Sequence, residues 1–247
     1  MEASFSRSKS QNQDRLDLSR KGSVDEDIRS VVSLLNGCEQ FFTTSSCSGR
    51  IIVIDGAACS GDVHKQDCVW LLVSHQKCSS EDVMCALSRS SRDAVLKFEP
   101  FVLHVRCRRL EDAQLVHSAA VNSGFRNSGI TVGRTGKIIS AVRSTHGLEV
   151  PLSHEGRLLV DDDYIRFLTQ TANQKMEENL RRIQRFYQNL QSALSAERLA
   201  VPDGPSEPRS GRTAGRGASE QNPRSRQREA EGFHGDLDLD DCLDLFT

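Results

Sequence analysis

Four stretches of this chain space their apolar residues by three or four positions, and the segments between them read as short runs of strand. The first helical stretch follows Ser23, with Glu26 three residues on in a capping-box arrangement and Ile28, Val31, Val32 and Leu35 on one face. A helix is predicted there, ending near Asn36 and Gly37. A second runs from Ser80 to about Arg89, its acidic first turn of Glu81 and Asp82 suiting the positive end of the helix dipole. The third covers Leu110 to Asn122, with Gly124 placed to close it in a left-handed cap. From Asp162 the positions Ile165, Leu168, Ala172, Met176, Ile183, Phe186, Leu190 and Leu194 follow one face of a single long helix.

Strand signals fill the gaps. Phe41 to Thr44 and Arg50 to Ile54 read as strands on either side of a Ser-rich bend, and Val69 to His75 as a third. Ala94 to Cys107 alternates as one long strand, but Pro100 supplies no ladder donor, so an edge position, a bulge or a split is expected there. His104 shares a face with Val102 and Arg106. Ser128 to Val132 and Lys137 to Ser144 flank G-R-T-G as a hairpin, and a further strand is predicted at Arg157 to Val160. Helices and strands do not alternate regularly. The fold class is therefore α+β, a single compact domain with a mixed or antiparallel sheet packed by helices and closed by a long C-terminal helix. A doubly wound, Rossmann-like fold is not expected, because no G-x-G-x-x-G follows a strand.

Composition sets the limits of this domain. Residues 1–15 are polar and Ser-rich without period, and residues 201–247 collect Pro, Gly, Ser and Arg with few large apolar side chains. Both ends are expected to be disordered, leaving 16–200 as the folded domain. The net charge of −2 hides a segregation: residues 201–247 hold 6 Arg and 10 acidic residues, which leaves 26 basic against 24 acidic residues in 1–200. A nearly neutral domain has no global positive field. Nucleic-acid contact must then come from a local patch, such as Arg106, Arg108 and Arg109 or Arg181, Arg182 and Arg185, each of which reads equally well as a solvated face. The eight cysteines show no C-x-x-C spacing and no apolar leader precedes them, so free thiols, no zinc site, no membrane segment and a soluble cytoplasmic protein are expected. The final D-L-D-L-D-D-C-L-D-L-F alternates acidic and apolar residues, as do segments that dock onto a protein partner; a merely solubilising end is the other reading.

Chemistry concentrates in S-S-C-S-G-R at Ser45 to Arg50, E-P-F-V-L-H-V at Glu99 to Val105, G-F-R-N-S-G-I at Gly124 to Ile130 and R-S-T-H-G-L-E-V-P at Arg143 to Pro151. Each puts hydroxyl, Gly, Arg or His groups at a strand end, where they can hold polar ligands, and four such edges suggest one shared pocket. Together with D-L-S-R-K-G-S-V-D at Asp17 to Asp25 and W-L-L-V-S-H at Trp70 to His75, and in this order, they resemble the wybutosine-synthesising protein 3 family over about Leu16 to Leu194. The resemblance implies an S-adenosylmethionine-dependent methyltransferase acting on a ring nitrogen, N4, of the tricyclic wybutosine precursor beside the anticodon of phenylalanine tRNA. A monomer is expected. The alternative is a non-catalytic RNA-binding or scaffold module that binds tRNA and ignores the cofactor.

Methyl transfer from a sulfonium to nitrogen demands in-line approach and a cradle for the cofactor more than acid chemistry. Ser45, Ser46, Ser48 and the Gly49 backbone are candidate partners of the methionine or ribose part of that cofactor, and Arg50 of its carboxylate. His75, Ser144 and Thr145 are assigned to the same pocket. His104, His146 and Asp25 are candidates for the base that takes the ring proton. Lys21, Arg181, Arg182 and Arg185 are candidate phosphate contacts, and Arg126, Ser128 and Arg143 complete the substrate side. Phe125 is a candidate stacking platform for a splayed-out base, with a buried anchor behind Gly124 as the competing reading. Cys47 is expected to be a small turn residue, since the reaction needs no covalent catalysis.

Overall fold

Two long antiparallel strands, β1 (Phe41–Asp55) and β3 (Ala94–Cys107), form the spine of this computed structural model, which describes residues 2–13, 22–56 and 68–200. β2 (Val69–Ser74) pairs with β1 on one side, while β5 (Ile138–Val142) and β4 (Gly129–Val132) extend the sheet beyond β3 in the order β2-β1-β3-β5-β4. β6 (Leu148–Pro151) also pairs with β3, making six strands, all antiparallel. A small two-stranded ribbon, β7 (Ser153–His154) and β8 (Arg157–Leu158), follows. The helices are α1 (Glu2–Gln13), α2 (Arg29–Gly37), α3 (Ser80–Leu87), α4 (Leu110–Asn122) and α5 (Asp162–Ala200). The α+β class, the antiparallel sheet and the closing helix agree with the sequence pattern. None of the described helices is long and apolar enough to cross a membrane.

Pro100 explains how β3 is shared. β6 occupies the edge of Val95 to Phe98 and β5 that of Leu103 to Cys107, so the proline falls in the gap between two partners, where no ladder donor is required. The buried series on β3 runs Ala94, Leu96, Phe98 and then Phe101, Leu103, Val105, Cys107, an odd step that changes its parity across the proline. Two apolar clusters result, and α5 serves both. Ile165, Leu168, Ala172 and Met176 pack with Ile51, Val53, Leu96 and Phe98, and Ile183, Phe186, Leu190 and Leu194 pack with Phe41, Phe101, Leu103 and Val116.

Four local expectations are corrected. The Ser-rich segment is not a bend between strands: β1 runs unbroken through it, because its polar groups are held by partners distant in sequence. The Ser23 capping box does not form. A 3₁₀ turn at Glu26–Ile28 precedes α2 instead, and Asp25 at its start makes no cap bond, which leaves its carboxylate available elsewhere. Glu2–Gln13 is helical where disorder was expected, since Phe5 finds an apolar partner that sequence proximity does not reveal. Its ring is buried 5.3 Å from that of Phe42, the Arg108 guanidinium lies over it, and Lys9 donates to the Cys38 carbonyl. The strand expected at 157–160 shrinks to β8, and β6, hidden in the R-S-T-H-G-L-E-V-P motif, takes the place on β3.

Two other expectations are met in detail. Gly124 follows α4 at φ 100°, its N–H donating to Val121 O while that of Phe125 donates to Ala120 O, a paired left-handed cap. G-R-T-G closes the β4–β5 hairpin, with Gly133 N–H donating to Lys137 O at 2.7 Å.

Candidate functional site

Beyond the bulge near its start, the ladder between β1 and β3 is interrupted between Cys47, which pairs with Val102, and Gly49, which pairs with Pro100. Ser48 and Phe101 face each other there in register without pairing directly. Their backbone groups are held by side chains instead, because a buried peptide group without a partner is costly. Ser48 N–H donates to Asp25 Oδ2 at 2.8 Å, and Asn179 of α5 donates from Nδ2 to Ser48 O at 2.7 Å while accepting from Phe101 N–H at 2.8 Å. Asp25 and Asn179 are both buried. Ser48 Oγ is buried and has no hydrogen-bond partner among the described residues.

Asp25 reaches a second group from the same spot. His75 Nδ1 lies 3.4 Å from Asp25 Oδ2 and 3.1 Å from Gly49 O. Both oxygens are acceptors, which assigns the ring proton to Nδ1 and the lone pair to Nε2. Cys47 Sγ approaches the same nitrogen at 4.0 Å, so carboxylate, thiol and imidazole donor atoms all lie within 4.8 Å of one another. Cysteine spacing alone gave no hint of this cluster, whose members come from three separate segments. Burial pushes the Cys47 thiol up, so it stands in this trio as a thiol.

A bulge between Thr43 and Ser45 shifts the register of β1 so that Ser45 stands opposite His104 on β3. Ser45 Oγ is 2.7 Å from His104 Nδ1, and Arg143 Nη2 is 3.0 Å from Nε2. Burial, and then the Arg143 charge, push His104 below the ordinary histidine range. Ser128 Oγ accepts from Arg143 N–H and donates to Phe125 O, tying the Arg143 loop to the end of α4.

A third set gathers along α5. Arg182 reaches Gly124 O and Ser144 Oγ, each at 3.4 Å, and donates to Glu178 Oε1 at 3.0 Å. Glu178 also receives Arg181 and Arg185, and these hydrogen bonds, with those from Arg181 and Arg182 foremost, draw it down to about 2. Ser144 Oγ accepts from His146 N–H. The His146 ring stands edge-on to Phe98 at 6.1 Å, and burial, then Arg182 and Lys175, lower its basicity.

The candidate residues fall unevenly on this framework. Asp25, Ser48, Gly49 and His75 converge, and Ser45 of β1, His104 of β3, Arg143 after β5 and Ser128 before β4 form a neighbouring chain of contacts. Arg50 is already committed: its Nε donates to Glu99 at 2.7 Å and its guanidinium stacks 5.0 Å from the Trp70 ring. Phe125 is no stacking platform. It is 0% exposed, wedged between Phe101 and Phe186, because the α4 cap turns it inward. Arg126 and Thr145 are exposed, Ser46 is half-buried, and Lys21 lies outside the described residues, as does the acidic tail. Of the other basic patch, Arg108 covers Phe5 and Arg109 pairs with Asp112, both structural uses. Asn179 and Glu178 escaped the sequence reading altogether. A polar residue on a long amphipathic helix carries no signal that it is buried.

Residues 6–192 match the family model described as Methyltransferase TYW3. A tRNA wybutosine-synthesizing protein 3 homolog of Bos taurus is 59% identical over 207 residues, 84% of this chain and 80% of that protein. A tRNA(Phe) 7-((3-amino-3-carboxypropyl)-4-demethylwyosine(37)-N(4))-methyltransferase of Pyrococcus abyssi is 32% identical over 70% of this chain and 82% of its own length. The solved structure of the PH1069 protein from Pyrococcus horikoshii superposes with a TM-score of 0.70 at 32% identity, covering 76% of this chain and 97% of that one. Motif order, fold and identity over most of the length thus agree, and the chain belongs to the TYW3 methyltransferase family.

Proposed function

We propose that this protein transfers a methyl group from S-adenosylmethionine to N4 of the tricyclic wybutosine precursor in phenylalanine tRNA, with the opening at Ser48 as the centre of its site. The printed activity of the Pyrococcus abyssi relative supports the substrate class. The observation that carries the site is the Asp25 carboxylate, which holds the Ser48 peptide and the His75 ring at once.

The donor set suits such a cofactor. The Ser46 and Ser48 hydroxyls and the Gly49 peptide would offer hydrogen bonds to its polar parts, the Arg50 donors not taken by Glu99 would suit its carboxylate, and the Asp25 charge favours a cation nearby. The bound cofactor supplies an activated methyl on a sulfonium, which departs as a neutral thioether. What the chain must add is alignment and a place for a proton, because a ring nitrogen that enters as N–H sheds it on methylation. His75 Nε2 is assigned that proton, with Asp25 fixing the tautomer through Nδ1. His104 suits the role less well, since Arg143 engages the only nitrogen able to accept. Arg181 and Arg185 lie exposed on α5 and are assigned to tRNA phosphates, while Arg182 links that face to Ser144.

Incubating the purified protein with labelled methyl donor and tRNA from cells lacking it tests the proposal. Label in the tricyclic base is the expected result. Binding of tRNA without cofactor binding or label would leave only the scaffold reading.

A further inference from the structure

Asn179 is 1% exposed, and its amide is spliced into the sheet where direct pairing of β1 and β3 lapses between Cys47 and Gly49, with the register the same on both sides. The position demands a donor and an acceptor side by side, for Ser48 O and Phe101 N–H. Asp lacks the donor, and Leu lacks both. The same amide also bounds the next residue: a Cβ on Gly49, whose φ is 105°, would sit 2.9 Å from Asn179 Nδ2. Ser48 therefore has its N–H fixed by Asp25 and its carbonyl by Asn179.

We infer that Asn179 is a positioning residue for cofactor binding: it holds the Ser48–Gly49 peptide in the orientation that the cofactor meets, without touching the cofactor itself. This rests on the function proposed above. A purely structural Asn179 would raise global stability and nothing more. A positioning one makes affinity depend on the amide beyond its effect on stability.

The two are separated by comparing Asn179→Ala with Leu190→Ala, a buried apolar truncation about three turns along the same helix and outside the site. Melting temperature, S-adenosylmethionine affinity by calorimetry, and kcat and KM with precursor tRNA are measured for both. The expected result is a cofactor Kd raised at least about tenfold in N179A with KM for tRNA within about twofold, while L190A, destabilised at least as much, keeps its cofactor Kd within about twofold. Should N179A not fold, the isosteric Asn179→Asp carries the same comparison. Equal cofactor affinity in the Asn179 variant and the control overturns the inference and leaves the proposed function standing. Wild-type protein that binds no S-adenosylmethionine removes the functional reading, and this inference with it.

Discussion

Arg143 Nη2 lies 3.0 Å from His104 Nε2. A guanidinium has no acceptor, so Nε2 must supply the lone pair, the proton must sit on Nδ1, and Ser45 Oγ receives it at 2.7 Å. The histidine is a neutral spacer between a strand hydroxyl and an arginine. Replacing Arg143 by Ala removes the charge that helps depress His104, so its titration, followed by NMR, is expected to move up toward the ordinary value.

The same depression sets a pH dependence of stability. With the folded value below the ordinary value of about 6.5, the unfolded chain binds this proton first as pH falls. The contribution of His104 is complete above about 6.5 and is lost as pH drops toward the folded value. Urea midpoints measured between pH 8 and 5 are expected to fall less steeply in His104→Asn than in the wild type.

Asp25 is expected to separate folding from chemistry. Asp25→Ala strips the acceptor from the buried Ser48 N–H and is expected to cost about 1.5–3 kcal/mol, the range for hydrogen bonds to charged groups. Asp25→Asn keeps an acceptor for that N–H but no charge for His75, so its melting temperature should stay near the wild type while kcat falls on the order of a hundredfold or more. A fully active Asp25→Asn protein would count against the Asp25–His75 couple.

Gly49→Ala combines a left-handed backbone with a Cβ 2.9 Å from Asn179 Nδ2 and 3.0 Å from the Glu99 carbonyl oxygen. Neither neighbour is the loose end of a flexible chain. Destabilisation by more than about 1 kcal/mol is expected in chemical denaturation.

Glu178 remains ionised across the physiological range, so three arginines share one anion. Removing Arg181 or Arg185 is expected to lower the slope of log affinity for tRNA against log salt by about 0.7–0.9 each. Glu178→Gln should steepen it, since one balancing charge is gone, yet slow turnover by loosening Arg182 from Ser144.

Local rules carried the sequence reading where the chain is organised locally. The spacing of Leu110 to Asn122, the glycine after it and the G-R-T-G turn each involve neighbours within a few residues, and α4, its cap and the hairpin follow them. Asp25, Ser45, Ser48, His75, His104 and Arg143 were legible as candidates from their motifs. Their partnerships were not, because each is made across the sheet or from α5. The Ser-rich segment looked like a bend since serine is a weak strand former, and it is a strand because β3 pairs along it and Asp25 and Asn179 satisfy its open point. Phe125 looked available because a motif shows which residues stand together and not which way the cap turns them.

The 39 residues of α5, about 58 Å of helix, are the last of the described elements to leave the ribosome, and both apolar clusters wait for them. Nascent chains that have exposed only the sheet present Phe98, Phe101, Leu103 and Val105 without their cover. Completion of the core thus waits on the whole of this helix, and a chain terminated near residue 180 would lose Ile183, Phe186, Leu190 and Leu194, the α5 cover of one cluster.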